Sequence, residues 1–331
     1  MIISRTPFRI SFFGGGTDYP VWYKKHGGRV ISATINKYCF ITTRYLPPFF
    51  NYNHRIRYYN HEETKTLNEI KHPSVRECAK YLKVDKGIEI VHNADLPAQS
   101  GLGSSSTFTV GLLNALHALQ NYMPTKRELA LEAIHVEQNL IRESVGSQDQ
   151  TAAAFGGLNK ISFNGTKNID VEPIIISNGR LKNLQENLML FFTGFSRNAS
   201  EIAKKQIEIT PKKEMELNQM GDISKEGLSL LIDKNKSLDE FGALLNEQWQ
   251  IKRGLTSEIS NDEIDEIYLK GINSGALGGK LLGAGGGGFI LFYVPQKHQQ
   301  AVKEALESKL FVPFRFESTG SKIIYYSHQD I

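Results

Sequence analysis

The segment from Asp95 to Thr107 combines residue types that can bind a phosphate group. Gly101 and Gly103 stand beside the serines at 104–106, directly before an apolar helical pattern. Glycine lets the backbone approach a ligand closely, and the first N–H groups of a helix have no partner within the helix. The positive end of the helix dipole favours an anion there. The segment therefore predicts a nucleotide-phosphate loop, with an ordinary structural turn as the alternative.

The loop fits neither of the common nucleotide-binding patterns. Ser106 stands where the dinucleotide fingerprint needs its third glycine. The P-loop pattern also fails here, because no Gly-Lys-Ser/Thr follows. Its nearest match elsewhere, Gly278-Gly279-Lys280, continues with Leu281 and lacks the first glycine at the required spacing. A nucleotide bound by this loop would be held in a third way.

Glu137 is a second residue with chemical potential. It lies on the apolar face of a predicted helix, three residues beyond Ile134 and four before Ile141. A carboxylate that faces a core is costly unless it has a partner. One hypothesis is that Glu137 is held inward to bind Mg²⁺ beside the phosphate loop. The other is that it lies at the edge of the apolar face and reaches water or an arginine.

Asp149 follows soon after, in the run from Gly146 to Gln150. Transfer of a phosphoryl group needs a positioned acceptor hydroxyl, and a carboxylate is a good acceptor for its proton. An acid at the start of a short helix is also often a simple cap. Both interpretations of Asp149 stay open at this point.

The N-terminal run from Arg5 to Pro20 supplies cations, a glycine turn and an acid. Arg9 could clamp a phosphate, and the Asp18 carboxylate could accept hydrogen bonds from two sugar hydroxyls. Taken alone, the glycines at 14–16 would form a hairpin and Asp18 would be a turn residue.

A mixed set of elements must position these residues. Short β-branched and aromatic runs predict strands at 9–13, 29–35, 38–45 and 87–92. One helix is predicted to begin at Ser104. Another is predicted from Thr125 to about Arg142, because Glu128 completes a T-x-x-E capping box. A short helix is predicted over 151–155.

The second half alternates strands and helices. A broken, polar stretch over about 164–187 predicts a domain junction. Strands are predicted at 188–192, 289–294, 311–316 and 322–326, and helical regions at 199–257, 262–274 and 296–310. The long helical region should be interrupted at Gly221-Asp222, and a second glycine-rich tract occupies 283–288. The alternation predicts an α+β fold.

Composition bounds the class of protein. A chain of 331 residues is long enough for two domains, and its formal charge of +4 suits an enzyme with small anionic substrates better than a nucleic-acid binder. Cys39 and Cys78 lie far apart without metal-ligand spacing, so two reduced thiols and a cytoplasmic location are expected. The sequence contains no run of about 18 apolar residues, so no membrane span is predicted.

The joint order of these motifs resembles the GHMP kinase family, the small-molecule kinases named for galactose, homoserine, mevalonate and phosphomevalonate. The resemblance covers nearly the whole chain. It implies a two-domain α+β fold, with a left-handed βαβ unit in the N-terminal domain, a ferredoxin-like C-terminal domain and an active site between them. The expected domains are residues 1–165 and 180–331.

The resemblance also implies roles for particular residues. The ATP-phosphate loop would comprise Pro97, Gly101, Leu102, Gly103, Ser104, Ser105 and Ser106. Ser105 and Glu137 would contact Mg²⁺, and Asp149 would be the catalytic aspartate with Arg9 as the nearby cation. Asp149 would act either as a base or as an electrostatic orienter of the hydroxyl. The sugar would contact Asp18 together with Thr17, Gly15, Gly16 and Gly286, the last from the supporting tract 285–288.

The motif from Gly14 to Tyr19 narrows the range of candidate sugars. Galactokinases carry Gly-Glu-His-Thr-Asp-Tyr, whereas the run from Gly14 to Tyr19 has glycines in place of Glu-His, which should open the site. The form Phe-Gly-Gly-Gly-Thr-Asp-Tyr-Pro is similar to that of bacterial D-glycero-D-manno-heptose 7-phosphate kinases and of the kinase domain of fucokinases. The former implies phosphorylation of the anomeric hydroxyl, giving the 1,7-bisphosphate for activated-heptose (GDP-heptose) biosynthesis. Arg197 or, less well placed, Lys280 would then hold the phosphate already on the sugar.

Three alternatives remain at this stage: a kinase for another sugar such as L-fucose or galactose, a non-catalytic sugar and ATP sensor, and a decarboxylase of the diphosphomevalonate type. The Thr17-Asp18-Tyr19 run speaks against the decarboxylase. Lys37, Tyr38 and the 55–59 segment are candidates for the adenine pocket. A homodimer is compatible with the sequence, which leaves the oligomeric state open.

Overall fold

Two β-sheets and the helices packed on them make up the computed structural model, which describes residues 1–165, 168–195 and 199–327. The strands are Ile2–Phe13 (β1), Gly28–Tyr45 (β2), His54–Arg57 (β3), His61–Thr64 (β4), Ile88–Ala94 (β5), Leu158–Phe163 (β6), Ile169–Pro173 (β7), Leu188–Phe192 (β8), Gly278–Leu281 (β9), Phe289–Tyr293 (β10), Leu310–Phe311 (β11), Phe316–Glu317 (β12) and Lys322–Tyr326 (β13).

The α-helices are Pro20–His26 (α1), Pro73–Tyr81 (α2), Ser104–Leu119 (α3), Lys126–His135 (α4), Gln148–Phe155 (α5), Asn178–Glu186 (α6), Ala199–Ile209 (α7), Glu214–Ile232 (α8), Asp239–Arg253 (α9), Asp262–Asn273 (α10) and Gln299–Ala305 (α11). Short 3₁₀ turns lie at Leu67–Glu69, Thr210–Lys212 and Gln296–His298, and a π-helical turn lies at Val136–Ile141. The mixture of helices and strands confirms the predicted α+β class.

The larger sheet has the order β13-β1-β2-β5-β3-β4, with β6 and β12 also paired to β2 and β7 paired to β6. The smaller sheet has the order β11-β8-β10-β9 and is antiparallel throughout. Strands β12 and β13 therefore leave the C-terminal half and pair with the first sheet. The end of the chain thus returns to the sheet that the first strands form.

Helix α3 is buried on nearly every side and carries the predicted phosphate loop at its N-terminus. It lies close against β1, where the Ser4 hydroxyl donates to the carbonyl of Gly111 at 2.8 Å. A Cβ at Gly111 would lie only 2.8 Å from the Thr6 hydroxyl oxygen, so glycine permits this close approach. The middle of α3 is thus packed tightly on the sheet.

Helix α4 begins with the predicted capping box. The Glu128 N–H donates to the Thr125 hydroxyl at 3.2 Å, and the Thr125 N–H donates to the Glu128 carboxylate at 2.7 Å. The helix widens into the π-helical turn and ends at Arg142, which has a left-handed φ of 64°. The predicted end at about Arg142 is confirmed, and the widened turn contains Glu137.

Two predicted breaks are wrong. Residues 28–45 form one continuous strand, because Asn36 continues the pairing by accepting from the Arg315 N–H at 2.6 Å and donating to its carbonyl at 2.8 Å. Gly221 lies inside α8, where a Cβ would have open space, so it weakens the helix only through its propensity. The breaks fall instead near Pro211 and in the turn at 233–238.

Within the described residues, the structure contains no helix of the length and hydropathy that crossing a membrane requires.

Candidate active site

A single cavity of about 570 Å³ gathers most of the residues that the sequence singled out. Its walls come from the second half of β1 and the turn after it, the loop before α3, the start of α5, helix α9 and the residues just after β9. The predicted site residues that line it are Arg9, Gly15, Gly16, Asp18, Gly101, Gly103, Ser104, Ser105, Ser106 and Asp149.

The loop before α3 presents backbone to this cavity. Gln99, Gly101 and Gly103 all have left-handed φ values, of 56°, 80° and 78°. The loop is closed by the Gln99 N–H, which donates to the Ser104 hydroxyl at 3.1 Å. Because α3 begins at Ser104, the unpaired N–H groups and positive end of a sixteen-residue helix face the cavity. This geometry suits an anion.

The second glycine tract packs directly behind the loop. A Cβ at Gly101 would lie 2.4 Å from the carbonyl oxygen of Leu282, and one at Gly288 would lie 2.3 Å from that of Ser100. The two backbones touch where no side chain would fit. Gly286 itself does not line the cavity, and its N–H donates to the Ile259 carbonyl at 3.0 Å. Its expected contact with the sugar is therefore not what the structure shows, whereas the tract does support the loop.

Arg9 and Asp149 form a bidentate ion pair in the wall of the cavity. Arg9 Nε donates to Asp149 Oδ1 at 2.8 Å, and Arg9 Nη2 donates to Oδ2 at 2.7 Å. The remaining terminal nitrogen, Nη1, donates to the carbonyl of Gly101 at 2.8 Å. A Cβ at Gly103 would lie 3.2 Å from Asp149 Oδ2. The carboxylate therefore lies against the loop that faces the anion site.

Asp18 lies deeper in the same cavity and is only 2% exposed. Its carboxylate accepts the N–H of Gly16 at 2.9 Å and that of Gln148 at 3.3 Å. Burial raises the pKa of Asp18, and these N–H groups oppose the rise. Thr17 faces away, since its hydroxyl donates to the carbonyls of Gly14 and Arg29. Thr17 thus shapes the turn and does not line the cavity.

Glu137 is fully buried, which confirms its predicted inward orientation. Its Oε2 accepts the Ser106 hydroxyl at 2.8 Å and also the Gln150 side-chain amide, while Oε1 has no hydrogen-bond partner in the described structure. Burial and, to a lesser extent, the nearby Glu143 carboxylate raise the pKa of Glu137 to about 7, although the hydrogen bonds to Glu137 oppose the rise. Ser106, the neighbour of the predicted metal ligand Ser105, is thus the serine that hydrogen-bonds to Glu137.

Glu143 adds a second carboxylate on this side. It lines the cavity beside the loop. Burial raises its pKa, and a hydrogen bond from the Ser105 side chain opposes the rise. Ser105 and Ser106 therefore each face a different glutamate. Glu137 itself does not line the cavity and lies behind Ser106, with a buried Oε1 that lacks a partner. A small, hard cation would suit this group of oxygen atoms beside the loop.

Lys252 is a site residue that the sequence analysis missed. It is 5% exposed and lines the cavity from α9, where its ammonium donates to the carbonyl of Gly283. Burial and, less strongly, the Arg9 charge lower its pKa to about 8. The pattern that could have revealed it is helical spacing: Lys252 lies three residues after Trp249 and four after Gln248, on the buried face of α9. Lys280 is also buried, but its ammonium donates to the Phe12 carbonyl at 2.9 Å and lies outside the cavity lining.

The other end of the cavity is aromatic. Phe108 stacks on His72 with centroids 4.7 Å apart and meets His92 edge-on at 5.0 Å. Tyr58 closes this end against His72 at 4.8 Å. Burial lowers the pKa of both histidines, that of His72 to about 4, so they are neutral rings near pH 7. A flat, apolar ligand group fits such a surface.

Several predicted residues lie elsewhere. Pro97 and Leu102 do not line the cavity; Leu102 is fully buried beneath the loop and its carbonyl accepts the Arg9 N–H at 3.2 Å. Of the residues proposed for an adenine pocket, Tyr58 and Tyr59 line the aromatic end, whereas Lys37 and Tyr38 do not. Arg197 lies outside the described residues.

Comparison with known families matches two models to this chain. "GHMP kinases N terminal domain" matches residues 70–157, and "GHMP kinases C terminal" matches residues 228–312. The chain belongs to the GHMP kinase family. The first match contains the phosphate loop, Glu137 and Asp149, and the second contains Lys252 and the glycine tract. This GHMP kinase is an ATP-dependent phosphotransferase that acts on a sugar.

Individual relatives extend over nearly the whole chain. A D-glycero-alpha-D-manno-heptose 7-phosphate kinase from Campylobacter jejuni is 31% identical over 97% of this kinase and 98% of its own length. A crystal structure of a D-glycero-D-manno-heptose 1-phosphate kinase from Bacteroides thetaiotaomicron superposes with a TM-score of 0.73, at 24% identity over 99% and 100% of the two chains. A Lactococcus lactis galactokinase structure with galactose gives a TM-score of 0.75, at 19% identity over 97% and 94%.

Proposed function

We propose that this GHMP kinase transfers the γ-phosphoryl group of ATP to the anomeric hydroxyl of a heptose 7-phosphate, giving the 1,7-bisphosphate. Such a product would feed the synthesis of an activated heptose of the GDP-heptose type. The observation that carries the proposal is the Arg9–Asp149 pair, which lies in one cavity between the anion-binding loop and the recess at Asp18.

The nucleotide would lie along the length of the cavity. Its base would occupy the aromatic end at Phe108, His72 and His92, and its phosphates would take the N–H groups at the start of α3. That orientation brings the terminal phosphate to the Gly101–Gly103 backbone, against which Asp149 already lies.

The acceptor hydroxyl would donate a hydrogen bond to Asp149. Arg9 holds both carboxylate oxygens, so the side chain has one orientation and presents its remaining lone pairs to the cavity. Asp18 would bind further hydroxyls of the sugar, since its lone pairs are only partly used by Gly16 and Gln148. Positioning of this kind supplies much of the catalysis in phosphoryl transfer.

Mg²⁺ would be held on the opposite flank by Ser105 and Glu137. The unpartnered Oε1 of Glu137 and the hydroxyls at 105 and 106 are hard oxygen donors of the kind this ion prefers. Within the described residues no cluster of three or more acidic, His or Cys side chains forms a metal cage. That fits an ion that shares its ligands with nucleotide phosphates, where it would offset their negative charge.

Two observations support a heptose over galactose. The relative named for heptose 7-phosphate matches this kinase end to end at 31% identity. In the structure, Gly15 and Gly16 line the cavity beside Asp18, and a Cβ on Gly15 would still be 3.7 Å from its nearest neighbour. The sugar end therefore has room for the longer side arm of a heptose.

The test is an ATP-consumption screen with heptose 7-phosphate, unphosphorylated heptose, fucose, mannose and galactose. We expect the highest kcat/KM for heptose 7-phosphate, with phosphorus NMR placing the new phosphate on the anomeric carbon. A higher kcat/KM for a free hexose would overturn the choice of sugar. Ligand binding without turnover for every sugar would identify a sensor instead of a kinase.

A further inference from the structure

The ammonium group of Lys252 is buried in the active-site cavity with little to bind it. Its one acceptor among the described residues is the carbonyl of Gly283. An ammonium group has three N–H donors, so two are left to point at a ligand. A buried cation in this state is costly unless an anion joins it.

Lys252 approaches the phosphate loop from the C-terminal half of the chain. Gly283, which accepts its hydrogen bond, touches the loop so closely that a Cβ there would lie 2.5 Å from the Cα of Gly101. Arg9 reaches the same residue from the N-terminal half, by donating to the Gly101 carbonyl at 2.8 Å. The two cations thus flank one stretch of loop, with Asp149 beside them.

Lys252 has no carboxylate partner among the described residues. The other charged groups that face it are Arg9 from β1 and the carboxylates Asp18 and Asp149. Asp149 is already paired with Arg9, and Asp18 accepts two backbone N–H groups. Lys280 from β9 adds little positive charge here, because burial lowers its pKa well below its usual range and its side chain donates to the Phe12 carbonyl. Burial and the Arg9 charge lower the pKa of Lys252 to about 8, which an incoming anion would reverse.

We propose that Lys252 binds the phosphoryl group during its transfer and neutralises the charge on its oxygens. The inference rests on the proposed function, which places the acceptor hydroxyl at Asp149. In that step the acceptor oxygen bonds to the γ-phosphorus, and the bond from this phosphorus to the β,γ-bridging oxygen breaks. The bridging oxygen keeps the electron pair and leaves with ADP, and the hydroxyl proton passes to Asp149. A cation fixed beside the loop stabilises this transition state more than it stabilises the complex with bound substrates.

The test compares Lys252→Met and Lys252→Arg with the surface control Lys225→Met, and runs Asp149→Asn in parallel. For Lys252→Met we expect kcat to fall by at least about 100-fold, while the Kd for ADP changes by less than about threefold. Lys252→Arg should recover at least about tenfold of this loss, because the guanidinium keeps the charge. The control should match the wild type, since Lys225 lies on the exposed face of α8.

The pH profile separates this role from simple support of Gly283. In the wild type, kcat/KM should fall above about pH 8, where free Lys252 loses its proton. This alkaline limb should move to higher pH in Lys252→Arg. A Lys252→Met enzyme with kcat within about threefold of wild type would overturn the inference, as would equal losses in kcat and ADP affinity. If circular dichroism shows that Lys252→Met does not fold, the inference is tested by the alkaline limb of the wild-type profile and its shift in Lys252→Arg. An alkaline limb that stays at the same pH in Lys252→Arg would then overturn it. Full activity in Asp149→Asn would instead overturn the proposed function.

Discussion

Arg9 and Asp149 lie 140 positions apart in sequence and share two hydrogen bonds, of 2.8 and 2.7 Å. The guanidinium is 3% exposed and the carboxylate 25%, so the pair is buried on the arginine side and open to the cavity on the aspartate side. A paired fork of this kind fixes the carboxylate in both position and orientation. The exposed edge of Asp149 is thus presented to any acceptor that enters.

Replacing Asp149 with asparagine should abolish turnover and leave nucleotide binding largely intact. The amide keeps the volume, but it removes the negative charge and one acceptor of the Arg9 fork. We expect kcat to fall by at least about 1,000-fold, since positioning and proton acceptance are lost together. Steady-state kinetics and calorimetric titration with ADP measure the two effects. Near-normal turnover would contradict the assignment.

Replacing Glu137 with glutamine should weaken the binding of Mg²⁺ to the proposed metal site. The substitution removes the charge that would face Mg²⁺, while the amide oxygen can still accept from Ser106. We expect the Mg²⁺ concentration for half-maximal activity to rise by about tenfold. Titration of Mn²⁺ in the presence of ADP, followed by electron paramagnetic resonance, reports the site without turnover. The exposed Glu226→Gln is the control, and an unchanged Mn²⁺ affinity in Glu137→Gln would exclude the metal role.

Replacing Phe108 with leucine tests the direction in which the nucleotide lies. The substitution keeps an apolar side chain but removes the ring that stacks on His72 and meets His92. If the base binds here, the KM for ATP should rise about three- to tenfold, and the acceptor KM should not change. The reverse pattern would place the sugar at the aromatic end.

The residues of the phosphate loop could be predicted from the sequence, whereas most of the contacts around the loop could not. Gly101 and Ser104 could be assigned to an anion site because backbone freedom and a helix start are local properties. Helical periodicity placed Glu137 on the apolar face and left two hypotheses, and its burial in the structure decides for the inward one. Local properties also gave the capping box at Thr125 and the strand at 322–326.

Contacts between distant segments were beyond the sequence. In the sequence Lys252 is one of many lysines in a predicted helix. Its place in the site follows from a contact with Gly283, which lies outside that helix. The hydrogen bond from Ser106 to Glu137 joins residues 31 positions apart in sequence and depends on tertiary packing. The return of β13 to the first sheet likewise depends on tertiary pairing with β1.

Replacing Gly288 with alanine should disturb the phosphate loop from behind. Gly288 has a φ of 107°, and a Cβ there would lie 2.3 Å from the Ser100 carbonyl oxygen. Both backbone strain and the clash with main chain must then be relieved by moving the loop. We expect the KM for ATP to rise and the melting temperature to fall by several degrees. Gly221→Ala, in open space on α8, is the matched control and should be neutral or slightly stabilising.

Glu317 should make the fold sensitive to acid. Burial alone would raise the pKa of this carboxyl, but hydrogen bonds from the Tyr38 hydroxyl and from Thr319 outweigh it and hold the pKa at about 2, below the ordinary 4.5. The folded state therefore binds this proton less tightly than the unfolded chain. The resulting stability is complete above about pH 4.5 and is lost as the pH falls towards 2.

Glu317→Gln should remove that contribution. We expect the free energy of unfolding at pH 7 to fall by between ~1 and ~3 kcal/mol, because the charged acceptor that ties β12 to β2 is gone. Urea unfolding at several pH values between 2 and 7 measures both the loss and its pH dependence. The variant should lose less stability on acidification than the wild type, whereas the exposed control Glu307→Gln should follow the wild-type curve. Equal acid sensitivity of Glu317→Gln and wild type would show that Glu317 is not the group responsible.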